Sequence, residues 1–154
     1  MEKLSKFLIE AKRQTYANEK VEKVSSSRIG SHDYEYSDGN MKYHDTYFGG
    51  INFMGEEVVY EQWGTPIWGM NYYGITLDKR LSEEAMDNAL RPALMQVGSD
   101  NTIPVRGPRE YVNGEYKYTF SVNGDLNCFD GEETIYKNNH KVYVLKCHGG
   151  KIIR

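Results

Sequence analysis

Two glutamate pairs carry the most chemical promise: Glu56-Glu57 in the phrase FMGEEVVY, residues 53–60, and Glu132-Glu133 in FDGEETIY, residues 129–136. Side chains alternate between the faces of a strand, so Glu57 travels with Val59 and Glu133 with Ile135. Val59 and Ile135 have the character of core residues. A carboxylate on their side of a sheet needs a cation or hydrogen-bond donors, or its pKa rises. Two such groups brought together by a two-fold axis could share the acid and base roles of a hydrolase or isomerase, or hold a cationic ligand. A solvated strand edge is the plainer use of paired glutamates.

The strand after the first pair adds an aromatic surface. In PIWGMNYYG, residues 66–74, Trp68, Met70 and Tyr72 fall on one face and Ile67 and Tyr73 on the other. The corresponding VYVLKCHGG, residues 142–150, keeps Tyr143 and Leu145 on one face but places Lys146 and His148 on the other. That divergence marks Trp68, Met70, Tyr72, Tyr73 and His148, with Glu57 and Glu133, as candidate ligand-binding residues. Packing against a helix is the simpler role for the aromatic face, and an oligomer interface is a third.

Other constellations are sparse. His44 and Asp45 are neighbours and so point to opposite faces of a strand. The four histidines have no metal-ligand spacing, and no glycine loop suited to phosphate is present. Ser25, Ser26 and Ser27 lack the glycines of a nucleophile elbow. Cys147 and His148 also alternate away from each other. No cofactor and no metal is expected.

The elements that must position these residues are short. Leu4, Phe7, Leu8 and Ala11 form one helical face, with the helix ending near Tyr16 to Asn18. The charges of Lys12, Arg13, Lys20 and Lys23, interleaved with glutamates, read as a solvated face and its exit. Residues 18–33 read as a loop. Turns at Asp38-Gly39, Gly64-Thr65-Pro66, Asn113-Gly114 and Asn138-Asn139 divide the rest into hairpins. A second helix is predicted over 82–97, capped by Ser82 and bent near Arg91 because of Pro92.

The hairpins repeat. Residues 35–60, set against 110–136 with Cys128 as one extra residue, share twelve identities in twenty-six positions. Each set follows one helix. The expectation is an α+β protein in one domain, residues 1–154, built as two related α-β-β-β-β halves of about 1–76 and 77–154 by internal duplication.

A net charge of −3 without a basic stripe argues against direct nucleic-acid binding. Two cysteines are too few for a disulfide scaffold. No stretch has the apolar length of a membrane span, and the charged N-terminal residues lack a signal-peptide core. The expected setting is cytoplasmic.

The runs HDTYFGGINFMGEEVVY, PIWGMNYYG, VRGPREYVNGEYKYTFSVNGDL and CHGGKI resemble an uncharacterised bacterial domain family common in Firmicutes. Members of that family stand alone or follow an Xre-type helix-turn-helix domain. The resemblance implies a regulatory or sensory module and supplies no catalytic residues. The reading taken forward is a non-catalytic module that binds a small molecule. An enzyme with paired glutamates and a homodimeric interaction protein are the alternatives.

Overall fold

The structure, a computed structural model, describes residues 1–153. Helix α1 (Glu2–Arg13) precedes four strands, β1 (His32–Asp38), β2 (Met41–Gly49), β3 (Asn52–Glu61) and β4 (Thr65–Thr76). Helix α2 (Glu83–Leu94) precedes four more, β5 (Glu110–Asn113), β6 (Tyr116–Asp125), β7 (Cys128–Lys137) and β8 (His140–Lys151). All eight form one antiparallel sheet in the order β1-β2-β3-β4-β8-β7-β6-β5. The fold is therefore α+β, with a single sheet joining its two strand sets.

The seam is the β4–β8 ladder. Its nine pairs run from Trp68–Lys151 to Thr76–Tyr143, with Tyr72 opposite Cys147 at the midpoint. The flanking strands keep matching registers: Glu57 pairs with Met70, and Glu133 with Leu145. A bulge follows at the same step in each, between Val59 and Tyr60 and between Ile135 and Tyr136.

The turns match as well. Gly49 and Gly124 have φ of 93° and 88°, and a Cβ on either would lie 2.2 or 2.1 Å from the carbonyl oxygen of Asn52 or Cys128. Neither turn has room for a side chain. Gly49→Ala and Gly124→Ala are each expected to cost about 1–3 kcal/mol, read as a lower urea midpoint. Similar losses from both would follow from their shared geometry.

Both helices lie on one face. Helix α1 packs on β1 and β2 and buries Phe7, Leu8 and Ala11; α2 packs toward β5 and β6 and buries Met86, Ala89, Leu90, Ala93 and Leu94. Ser82 caps α2 by accepting from the Ala85 amide at 3.1 Å, as the sequence suggests. The helix continues through Pro92 to Leu94 and stops three residues short of the predicted end. Pro92 has no amide hydrogen for the Asn88 carbonyl, and Asn88 is exposed, where water can take that role.

Trp68, Tyr43, Tyr118, Tyr143 and Phe120 are fully enclosed between sheet and helices. The opposite face of the sheet carries Met54, Tyr73, Lys146 and His148 in exposed positions. Among the described residues, no helix is long and apolar enough to cross a membrane.

Candidate functional site

The helix-covered face of the sheet is unusually polar for a core. Burying a charge is tolerable only when it is paired and hydrogen-bonded. Glu133 on β7 is fully buried, and Arg106, from the segment between α2 and β5, donates to both its oxygens at 2.9 and 2.8 Å. Tyr118 and Tyr143 also donate to it, at 2.7 and 3.0 Å. The Gly107 amide in turn donates to the Tyr118 hydroxyl at 2.9 Å. Glu133 is thus completely satisfied.

Glu57 is the counterpart on β3. It is 3% exposed and pairs with Lys12, which α1 directs inward. Opposite Glu57 in the β2–β3 ladder lies a second acid, Asp45, also 3% exposed. The Tyr72 hydroxyl donates to Asp45 Oδ1 at 2.6 Å. Among the described residues, no cation forms an ion pair with Asp45. Its carboxyl is pushed up to about 7, first by burial and then by the charge of Glu57. Burial, followed by the charges of Asp45 and Glu57, raises the Tyr72 phenol well above its ordinary value.

Beside Asp45 is a cavity of about 40 Å³, walled by Tyr16, Tyr43, Tyr47, Phe53 and Tyr72; the ion-paired Lys12, Glu57 and Arg106 also line it, and the less buried Gly50, Glu83 and Asp87 bound its rim. Such a volume admits roughly two or three waters, or one small polar group. Tyr16 donates to Asp87 at 2.9 Å, tying the exit of α1 to α2.

In the strand set β5–β8 an aromatic ring takes the place of Asp45. Phe120 stands opposite Glu133 as Asp45 stands opposite Glu57. A Cβ on Gly131 would meet the Phe120 ring at 2.7 Å, so the ring fills the space there.

The seven residues singled out from sequence are not gathered into one place. Glu57 and Tyr72 line the cavity. Glu57 and Glu133 do not meet: β4 and β8 lie between their strands, which puts them about 14 Å apart. Each has its own cation instead. Trp68 is wholly enclosed, stacked on Phe129 at 6.0 Å, and donates its indole N–H to the Leu126 carbonyl at 3.1 Å. Met70 is 3% exposed and does not line the cavity. Tyr73 and His148 are on the open face, beside Arg28, Phe48 and Met54.

Lys12 belongs to the interior and not to a solvated helix face. It falls four residues after Leu8, on the buried stripe. Asp45 also had a signal, since it alternates with the buried Tyr43 and Tyr47. Arg106 lies in a segment without periodicity and had none.

On the open face, His44 turns from Asp45 and places Nε2 2.6 Å from Asp33 Oδ2. Burial alone would raise the Asp33 carboxyl, but hydrogen bonds from Ser27, Ser31 and His44 outweigh it and hold the group far below its usual range. Burial pushes the Cys147 thiol up to about 12, which removes its nucleophilic character. Among the described residues, no group of three or more histidine, cysteine, aspartate or glutamate side chains is placed to hold a metal ion.

The fold and the chamber define a small α+β module with a polar recess beneath its helices that opens past Glu83 and Asp87. The chain belongs to the DUF5680 family, a domain of unknown function, whose model matches residues 45–152, from Asp45 through β8. No curated protein and no solved structure matches the chain.

Proposed function

We propose that the protein is a non-catalytic binding module for a small molecule. We also infer that it arose by duplication of an α-β4 unit in which only the first copy kept an open chamber. The single observation carrying the binding reading is the cavity beside Asp45, where aromatic walls and a buried, half-satisfied carboxylate converge. Binding sites generally combine apolar walls with a few directed polar groups. The matching registers, paired bulges and paired turn glycines support the duplication. In a regulatory setting the bound molecule would serve as an effector.

The test uses the filled half as its template. Wild type and Asp45→Phe, which copies the residue opposite Glu133, are melted with a panel of small amines, alcohols, carboxylates and amino acids. At least one compound is expected to stabilise wild type. At about 100-fold excess over Kd, the gain is about 2.7 kcal/mol. For a chain of this size that is roughly 5–10 °C. Asp45→Phe is expected to fold and to lose the response. A panel without effect on wild type, or with equal effect on the variant, would overturn the reading.

One observation favours an enzymatic alternative. A carboxyl near neutrality, hydrogen-bonded to a tyrosine, is suited to proton transfer. Turnover of a bound panel compound, lost in Asp45→Asn, would establish it.

A further inference from the structure

The charges under the helices balance only while Asp45 keeps its proton. Three carboxyl groups, Asp45, Glu57 and Glu133, face two cations, Lys12 and Arg106. Arg106 is committed to Glu133 through two hydrogen bonds, and Lys12 to Glu57. Asp45 is the group left over, with one oxygen on Tyr72 and a cavity beside it. A guest that completes this arrangement brings a positive charge.

The approach has the same sign. Glu83 and Asp87 form the rim, and the adjoining surface depression continues with Glu19 and Glu84. The only cation lining that depression is Arg91, which lies over the Tyr16 ring at 4.4 Å and pairs with Asp87 at 3.5 Å. An acidic funnel of this kind concentrates cations and repels anions at its mouth. The aromatic walls inside are compatible with an ammonium group, which is attracted to ring faces.

Resting on the binding reading above, we infer that the chamber takes the protonated primary amine of a small linear amine, paired with Asp45, with the alkyl body leaving past Glu83 and Asp87. A second ammonium on that body meets the rim carboxylates, so a short α,ω-diamine is the best-fitting class. The chamber is too small for a bulky head. Room for roughly two or three waters suits an ammonium with a methylene or two better than a branched trimethylammonium group.

The experiment is calorimetric titration of the full chain with butane-1,4-diamine, 1-aminobutane, butan-1-ol, butanoate and butyltrimethylammonium. The diamine is expected to bind most tightly, then the monoamine, each at least roughly tenfold above the other three. Asp45→Asn keeps the oxygen that accepts from Tyr72 and is expected to weaken both amines by at least roughly thirtyfold. Glu83→Gln is expected to weaken the diamine severalfold more than the monoamine, which loses only the attraction of the funnel.

A pH series on wild type supplies a check that needs no variant. The groups facing Asp45 are Lys12 on α1, Glu57 on β3, Tyr72 on β4 and Arg106, with Tyr34 beside it on β1 and Asp87 across the chamber on α2. Tyr34, Tyr72 and Arg106 are all shifted upward and keep their protons through neutrality. The monoamine is therefore expected to bind at least roughly tenfold more weakly at about pH 5 than at about pH 8, as Asp45 gains its proton. Preferential binding of butanoate or butan-1-ol, abolished by Asp45→Phe, would overturn the amine class while leaving a binding chamber. Silence from all five probes and from the wider panel would overturn both. Amine binding that ignores pH and survives Asp45→Asn would place the amine elsewhere and sink the inference.

Discussion

Arg106→Met is expected to lower stability by about 3–5 kcal/mol, measured as a drop in the urea unfolding midpoint without loss of slope. The side chain of Glu133 is inaccessible to water, and that of Arg106 is only 6% exposed. Removing the guanidinium leaves a buried carboxylate held by two tyrosine hydroxyls alone. Water cannot take over the lost interaction, so the cost is that of an uncompensated interior charge. Adding Glu133→Gln removes the charge and keeps an oxygen for Tyr118 and Tyr143. The double variant is expected to recover a large part of the loss. A change below about 1 kcal/mol in the single variant would mean that the pair is not holding the sheet face together.

The second large effect is a decline in stability as pH rises from about 4 to about 7. In the native state Asp45 keeps its proton up to about pH 7, whereas the unfolded chain releases it near the ordinary value of about 3.9. Between those values the folded state binds the extra proton. Its contribution is complete below about pH 4 and is lost as pH climbs through 7, a total on the order of 4 kcal/mol. Asp33 acts in the opposite sense: its lowered pKa adds stability above the unfolded value, and that stability is lost on acidification below about pH 4. Together they place the stability maximum near about pH 4–5. Urea titrations of wild type and Asp45→Asn at about pH 5 and about pH 8 test this. The variant should be nearly flat across that window, and the two chains should differ most at the higher pH. A wild-type midpoint that rises between the two conditions would contradict the assignment.

Local chemistry made much of the fold readable from sequence. Gly39 and Gly114, with φ of 58° and 59°, are where Asp-Gly and Asn-Gly turns demand a left-handed residue, and Ser82 caps α2 as its hydroxyl suggests. The inward direction of Glu57 and Glu133 followed from alternation with Val59 and Ile135. Strand order did not follow, because nothing local says that β4 and β8 pair and so separate the two acids. The site was legible in part. Lys12 lay on a buried stripe, but its charge among glutamates made solvent the simpler expectation. Asp45 was placed only opposite in direction to His44, and long-range pairing alone brings the two acids Asp45 and Glu57 together. Trp68 drew attention as a large aromatic in a strand, which a core position explains as well as a ligand surface.

The unbroken β4–β8 ladder leaves the molecule without a pivot at its midline. Clamshell closure, by which two lobes commonly register a captured guest, is therefore unavailable to it. What can shift is the helical layer, whose two parts are already laced together where Arg13 donates to the Val97 carbonyl at 2.7 Å. News of an occupied chamber would leave through that layer, and a listener stationed on the bare side of the sheet would hear little of it.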